Sequence, residues 1–140
     1  MTWMMHHPQS EQFAQAAELA FKQGDVIRAI ELYWLAAEQE TLALADLDTS
    51  KKRTLGITTV SAASLWLKAH DYQQAQSVAY KGLADSSLPA FAVKELKEIV
   101  QAAWNQESAT KAGLEFIGGE VLISVSGGQV VRGGAPLDFI

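Results

Sequence analysis

The sequence predicts a mainly α-helical protein made of antiparallel helical hairpins, about five helices in all, followed by a small Gly-rich β-hairpin tail. Three observations predict it. Apolar residues recur at three- and four-residue spacing from Phe13 to Trp104, the period of a helix with one buried face. Alanines stand where two paired helices would touch. Glycine then shifts to the end of the chain, where seven of the ten lie between Gly113 and Gly134 and punctuate short β-branched runs.

Residues 1 to 9 are expected to be frayed, with Pro8 marking the approach to a first helix capped by Ser10. Phe13, Ala16, Ala17 and Ala20 form its inner face. Gly24 ends it, because glycine enters the left-handed C-terminal position without a Cβ penalty, and Asp25 can cap the next helix. That second helix carries Val26, Ile27, Ala29, Ile30, Tyr33, Trp34, Ala36 and Ala37, an apolar surface wide enough to pack on two sides. Its high-propensity Ala and Leu residues extend it toward Ala45. Asp46, Asp48, Thr49 and Ser50 then read as a loop.

The basic run Lys51-Lys52-Arg53 opposes the dipole of a helix that starts there and reads as a solvated loop edge, or as a contact for a small anion or acidic peptide. From Leu55 to His70 a third helix is expected, weakened in its first half by Gly56 and the β-branched Ile57 to Val60. His70-Asp71 stands where Gly24-Asp25 stood. Tyr72, Ala75, Val78, Ala79, Gly82 and Leu83 line a fourth helix. A fifth runs from about Pro89 to Glu107 with Phe91, Val93, Leu96, Ile99, Val100, Ala103 and Trp104 inward, and Lys94, Glu95, Lys97 and Glu98 in water. In the tail, 113–140, Leu114 to Ile117, Val121 to Val125 and Gln129 to Arg132 are strand-like, with a hairpin turn at Ser126 to Gln129. A lone hairpin is marginal in water, so it must dock on the helices, pair with another chain or stay loose. The bare apolar ending Asp138-Phe139-Ile140 suggests a boundary with further sequence to follow.

Composition narrows the functional classes. A net charge of −5 lacks the basic stripe a nucleic-acid surface needs, and no apolar run reaches the length of a membrane span. With no cysteine, disulfides and thiolate zinc sites are excluded. The N-terminus has no basic region ahead of an apolar core, so it is not a signal peptide, and a cytoplasmic protein is expected. His6 and His7 are adjacent on an expected frayed end, a poor metal site. The tail glycines are not followed by Lys-Ser/Thr and do not meet the dinucleotide spacing, so they read as turn chemistry. No nucleophile–base pair or carboxylate pair stands out. The expectation is a non-enzyme without cofactor or metal.

Overlaying Gly24-Asp25-Val26 on His70-Asp71-Tyr72 brings Ala17 onto Ala63 and Ala29 onto Ala75. With Tyr33 and Ala36 in the first copy, and Gly82 and Leu83 in the second, this pattern resembles a divergent tetratricopeptide repeat over Ser10 to Glu107. It departs in two ways. The second copy lacks the turn glycine and the inner aromatic, and the corners stand 46 positions apart, from 24 to 70, against a family period of about 34. The resemblance implies hairpins stacked as a right-handed solenoid, with a partner-binding groove along the first helix of each repeat. By motif position that groove would hold Ala14, Glu18, Phe21, Lys22, Ile57, Val60, Ser64, Leu67 and Lys68. The carboxylate-gripping version of the family's groove is not implied, since no Asn stands there and Glu18 would repel a carboxylate.

The expected function is therefore a protein–protein interaction module that takes a peptide or helix of a partner protein. Two alternatives stand beside it: an accessory or regulatory domain of a larger multidomain protein, or a self-assembling structural protein that forms a homodimer through its β tail.

Overall fold

The computed structural model describes residues 3–117, 120–124 and 130–133. Its described part is mainly helical: α1 (Trp3–Lys22), α2 (Val26–Ala45), α3 (Lys52–Lys68), α4 (Tyr72–Leu83) and α5 (Ala90–Lys111). Each helix packs on the next, and α3 also packs on α5.

α1 corrects the expectation of a frayed start. It begins at Trp3 and carries Pro8 inside it, and Ser10 is buried within the helix instead of capping it. Long-range contacts override the local signal. Trp3 Nε1 donates to Thr58 Oγ1 of α3 at 3.0 Å, His6 and His7 meet Gln39 and Glu40 of α2, and Ser10 Oγ donates to the Ala36 carbonyl at 2.9 Å. None of these partners is near in sequence.

The corners after α1 and α3 share one hydrogen-bond pattern. Gly24 and His70 adopt left-handed φ values of 83° and 59°. Asp25 N donates to the Ala20 carbonyl at 2.9 Å, and Asp71 N to that of Trp66 at 3.0 Å. Each aspartate then caps its helix, accepting from Arg28 N at 3.1 Å and from Gln74 N at 3.2 Å.

α2 reaches Ala45, and the loop after it is held by Asp48, whose side chain accepts from Ser50 N at 2.9 Å. α3 starts at Lys52, earlier than Leu55, with Lys51 at the cap position and no side-chain cap. The Gly56 and β-branched stretch is helical because it is buried: Gly56, Thr58 and Thr59 face neighbouring helices, and Thr59 Oγ1 returns a bond to the Leu55 carbonyl at 2.7 Å. A Cβ on Gly56 would stand 3.1 Å from that of Ala92, so glycine admits α5 to close range.

Two clusters form the interior. Ala17, Ala20, Ala29 and Leu32 join α1 to α2, and a larger one runs from Ala36 through Trp66, Ala75, Val78, Leu96 and Ile99 to Ala103. Phe13 and Tyr33 pack against both and bridge them. Alanine at Ala17, Ala29, Ala63 and Ala75 lets the backbones approach, and all four are at most 1% exposed. Trp104 corrects the expected inner face of α5: it is 60% exposed, and Phe91 also lies at the surface.

Beyond α5 the described backbone contains β1 (Leu114–Ile117), β2 (Glu120–Ser124) and β3 (Val130–Gly133), in antiparallel register with Leu114 opposite Ile123 and Val121 opposite Gly133. The expected turn at Ser126 to Gln129 lies outside the described residues. Among the described residues, no helix is long and apolar enough to cross a membrane.

Candidate functional site

The expected groove residues fall on α1 and α3, each of which packs against α2. Helical spacing puts Ala14, Glu18, Phe21 and Lys22 on neighbouring turns of α1. Ile57, Val60, Ser64 and Lys68 do the same on α3. Glu18, Phe21, Lys22, Ile57 and Lys68 are exposed, whereas Ala14, Val60 and Ser64 are partly covered. Leu67 is different. At 4% exposure it belongs to the large core cluster and presents nothing to a partner. Trp66 and Leu67 both turn inward, so on α3 the expected groove positions that reach the surface pass from Ser64 to Lys68.

Tyr33 of α2 ties the two helices together. The Lys68 ammonium sits 5.6 Å from the centre of the Tyr33 ring, within cation–π range. Burial pushes the Tyr33 phenol above its ordinary pKa, and the Glu18 carboxylate adds to that shift by making a phenolate costlier. The Glu18 carboxylate of α1 thus acts on the Tyr33 phenol, while the Lys68 ammonium of α3 lies by the ring. The three come from three helices, and only packing brings them together.

The other end of the α3 face is apolar and basic. Ile57 is 11 positions from Lys68, about 16 Å along the axis. One turn before it, the Arg53 guanidinium lies 5.7 Å over the Phe91 ring of α5. The basic run thus divides its contacts, since Lys52 Nζ approaches Asp85 Oδ2 at 3.9 Å while Arg53 covers Phe91.

The sequence pattern assigns Tyr33 to helix packing and does not show its contact with Lys68 of α3 or the effect of Glu18 of α1 on its phenol. The available signal was the register itself: in the overlay Tyr33 aligns with Ala79, so only the first copy carries a polar-tipped aromatic there. The pattern also does not show Glu40, a carboxylate 1% exposed that faces His7. A contact across 33 positions leaves no local trace. Among the described residues, no three His, Asp or Glu side chains gather so as to hold a metal ion.

Comparison with known proteins adds no further constraint: no family model, no curated protein and no solved structure matches the chain.

Proposed function

We propose that this chain is a non-catalytic protein–protein interaction module, with tetratricopeptide-like hairpins stacked in a right-handed solenoid and a small β-hairpin at its C-terminus. Its binding face is the α1–α3 surface. The observation that carries this reading is the contact of Tyr33 with Lys68 and the effect of Glu18 on its phenol. A tyrosine whose ring meets the Lys68 ammonium and whose phenol feels the Glu18 carboxylate, with Ile57 and Phe21 exposed on α3 and α1, suits an amphipathic helix or extended peptide. Such a partner would place a basic side chain opposite Glu18, an acidic one opposite Lys68 and an apolar residue over Tyr33. The module would act in the cytoplasm, without cofactor, nucleic acid or membrane.

Capture by the full-length chain tests this. Glu18→Lys combined with Lys68→Glu reverses both charges on exposed positions and should abolish capture of the partner with helicity unchanged. Undiminished capture would rule the α1–α3 face out. A homodimer through the β tail is a separate reading, and loss of dimer mass on deleting residues 113–140 would establish it.

A further inference from the structure

α2 packs on α1 and on α3, and it buries Ala29, Leu32, Ala36 and Ala43 against its neighbours. Its outward side is not the polar stripe that a surface helix carries. Ile27, Glu31, Trp34, Glu38 and Leu42 follow one another at spacings of four, three, four and four residues. They therefore line one side of the helix over about 22 Å, from its first turn to its last. Ile27 is 75% exposed, Trp34 39% and Leu42 43%, and Glu31 is exposed between the first two. Trp34 is already held in place. Its ring meets that of the buried Trp66 edge-on at 5.2 Å, and Trp66 is tied in turn to Thr41 at 2.9 Å. A large side chain fixed in position while part of it faces water loses little entropy on binding, the character of a residue that dominates an interface.

The two carboxylates identify the occupant. α2 holds no lysine and a single arginine, Arg28, whose Nη1 stands 3.4 Å from Glu31 Oε2 with both side chains more than half exposed, a pair worth little in water. Glu38 has no ion pair among the described residues. A wholly apolar partner would strip water from both carboxylates and return nothing. A second copy of the stripe is no better. Set parallel, it brings Glu31 onto Glu31 and Glu38 onto Glu38. Set antiparallel, with Trp34 on Leu35, it brings Glu31 of each copy onto Glu38 of the other. Trp104, the other strongly exposed tryptophan, carries no such charge information, since Gln101 and Asn105 beside it on α5 bond each other at 3.0 Å.

We infer that this stripe of α2 is a second docking surface, for a basic amphipathic helix of a partner protein. The partner seats apolar residues on Ile27, Trp34 and Leu42 and sets a lysine or arginine against each of Glu31 and Glu38, which lie about two turns apart. Trp34 supplies most of the affinity. The carboxylates select the partner and fix its register, because a slip of one turn sets each basic side chain over an apolar one. The stripe shares no residue with the α1–α3 surface, so each can be lost without the other.

The test uses the full chain and two synthetic amphipathic peptides of about 18 residues, with leucine at three- and four-residue spacing flanked in one by lysine and in the other by glutamate. Titration calorimetry should show binding of the lysine peptide alone. By nuclear magnetic resonance, the indole N–H of Trp34, assigned through its loss in Trp34→Phe, should shift on binding, while that of Trp104, assigned in Trp104→Phe, stays in place. Glu31→Lys with Glu38→Lys should weaken the lysine peptide by on the order of tenfold or more and admit the glutamate peptide. Ile27→Ser, at the most exposed position of the stripe, should weaken it with the least effect on the fold. Glu98→Lys with Glu107→Lys on α5 changes the net charge equally and should leave binding as it was. Failure of the lysine peptide to bind, an equal loss in the α5 pair, or a shift at Trp104 in place of Trp34 would overturn the proposal. So would a dimer of the free chain that Leu42→Glu dissociates in sedimentation, since a second copy would then cover the stripe.

Discussion

Gly24 and His70 occupy the same left-handed position at the ends of α1 and α3, yet only one of them is glycine. A Cβ added at Gly24 meets nothing within 4 Å, so the whole cost of a side chain there is backbone strain. Gly24→Ala should therefore lower stability by about 1 kcal/mol, read from the urea midpoint at unchanged slope. His70→Gly should gain on the order of 0.5–1 kcal/mol, less whatever the stack of His70 on Tyr72 contributes. A loss at His70→Gly would mean that ring contact outweighs the strain.

The two caps should respond alike. Asp25→Ala and Asp71→Ala each remove a side-chain acceptor from a helix start and should each cost about 0.5–2 kcal/mol. Asn at either position should recover most of the loss, because it accepts the same backbone bond without the charge. Thermal unfolding of the six-member set of wild type and variants, with both Asn forms and the double Ala, would show whether the losses add.

Gly82 should tolerate no side chain. A Cβ there would stand 2.8 Å from Leu96 Cδ1 and 2.8 Å from Thr59 Cγ2, and both neighbours are buried at a junction of α3, α4 and α5. Helix propensity alone would favour alanine by about 1 kcal/mol, while overpacking opposes it by about 1–3 kcal/mol. Gly82→Ala should thus destabilise on balance, and a stabilised variant would show that Leu96 can move aside. Ala29, 1% exposed between α1 and α2, carries the same argument without the propensity gain, so Ala29→Leu should cost about 1–3 kcal/mol.

The buried side chain of Trp66 ties α3 to α2. At 4% exposure, with Nε1 donating to Thr41 Oγ1 at 2.9 Å and its ring edge-on to Trp34, Trp66→Ala should cost about 3–5 kcal/mol. Trp66→Phe should cost clearly less, since Thr41 keeps its bond to the Ala37 carbonyl. Equal losses would assign the effect to the indole hydrogen bond instead of volume.

Tyr33 offers a titration. Its phenol is raised first by burial and then by Glu18, so ionisation near 295 nm should begin, for this residue, on the alkaline side of the free phenol at about 10. A raised folded-state value means the folded protein resists losing that proton, so stability is intact below the free value and falls as pH rises through and beyond it. Glu18→Gln should bring the Tyr33 step partway down, leaving the larger part that burial imposes. No movement in Glu18→Gln would place that carboxylate away from the ring.

Periodicity, alanine placement and corner chemistry were enough to state the helices and their order. Gly24 stops one helix because of what glycine can do locally, Asp25 and Asp71 start two others because a short carboxylate caps a backbone within three residues, and Ala17, Ala29, Ala63 and Ala75 announce close packing by their size alone. Those are short-range properties, and short-range properties are written in the order of residues. Tertiary structure decided the rest. It drew Trp3 to Pro8 into α1 through partners on α2 and α3, turned Leu67 inward and Trp104 outward, kept a β-branched stretch helical by burying it, and set Tyr33 where Lys68 meets its ring and Glu18 acts on its phenol. Each of these depends on which surface a neighbouring helix covers, a quantity set by the packing of the whole chain and absent from any window of it.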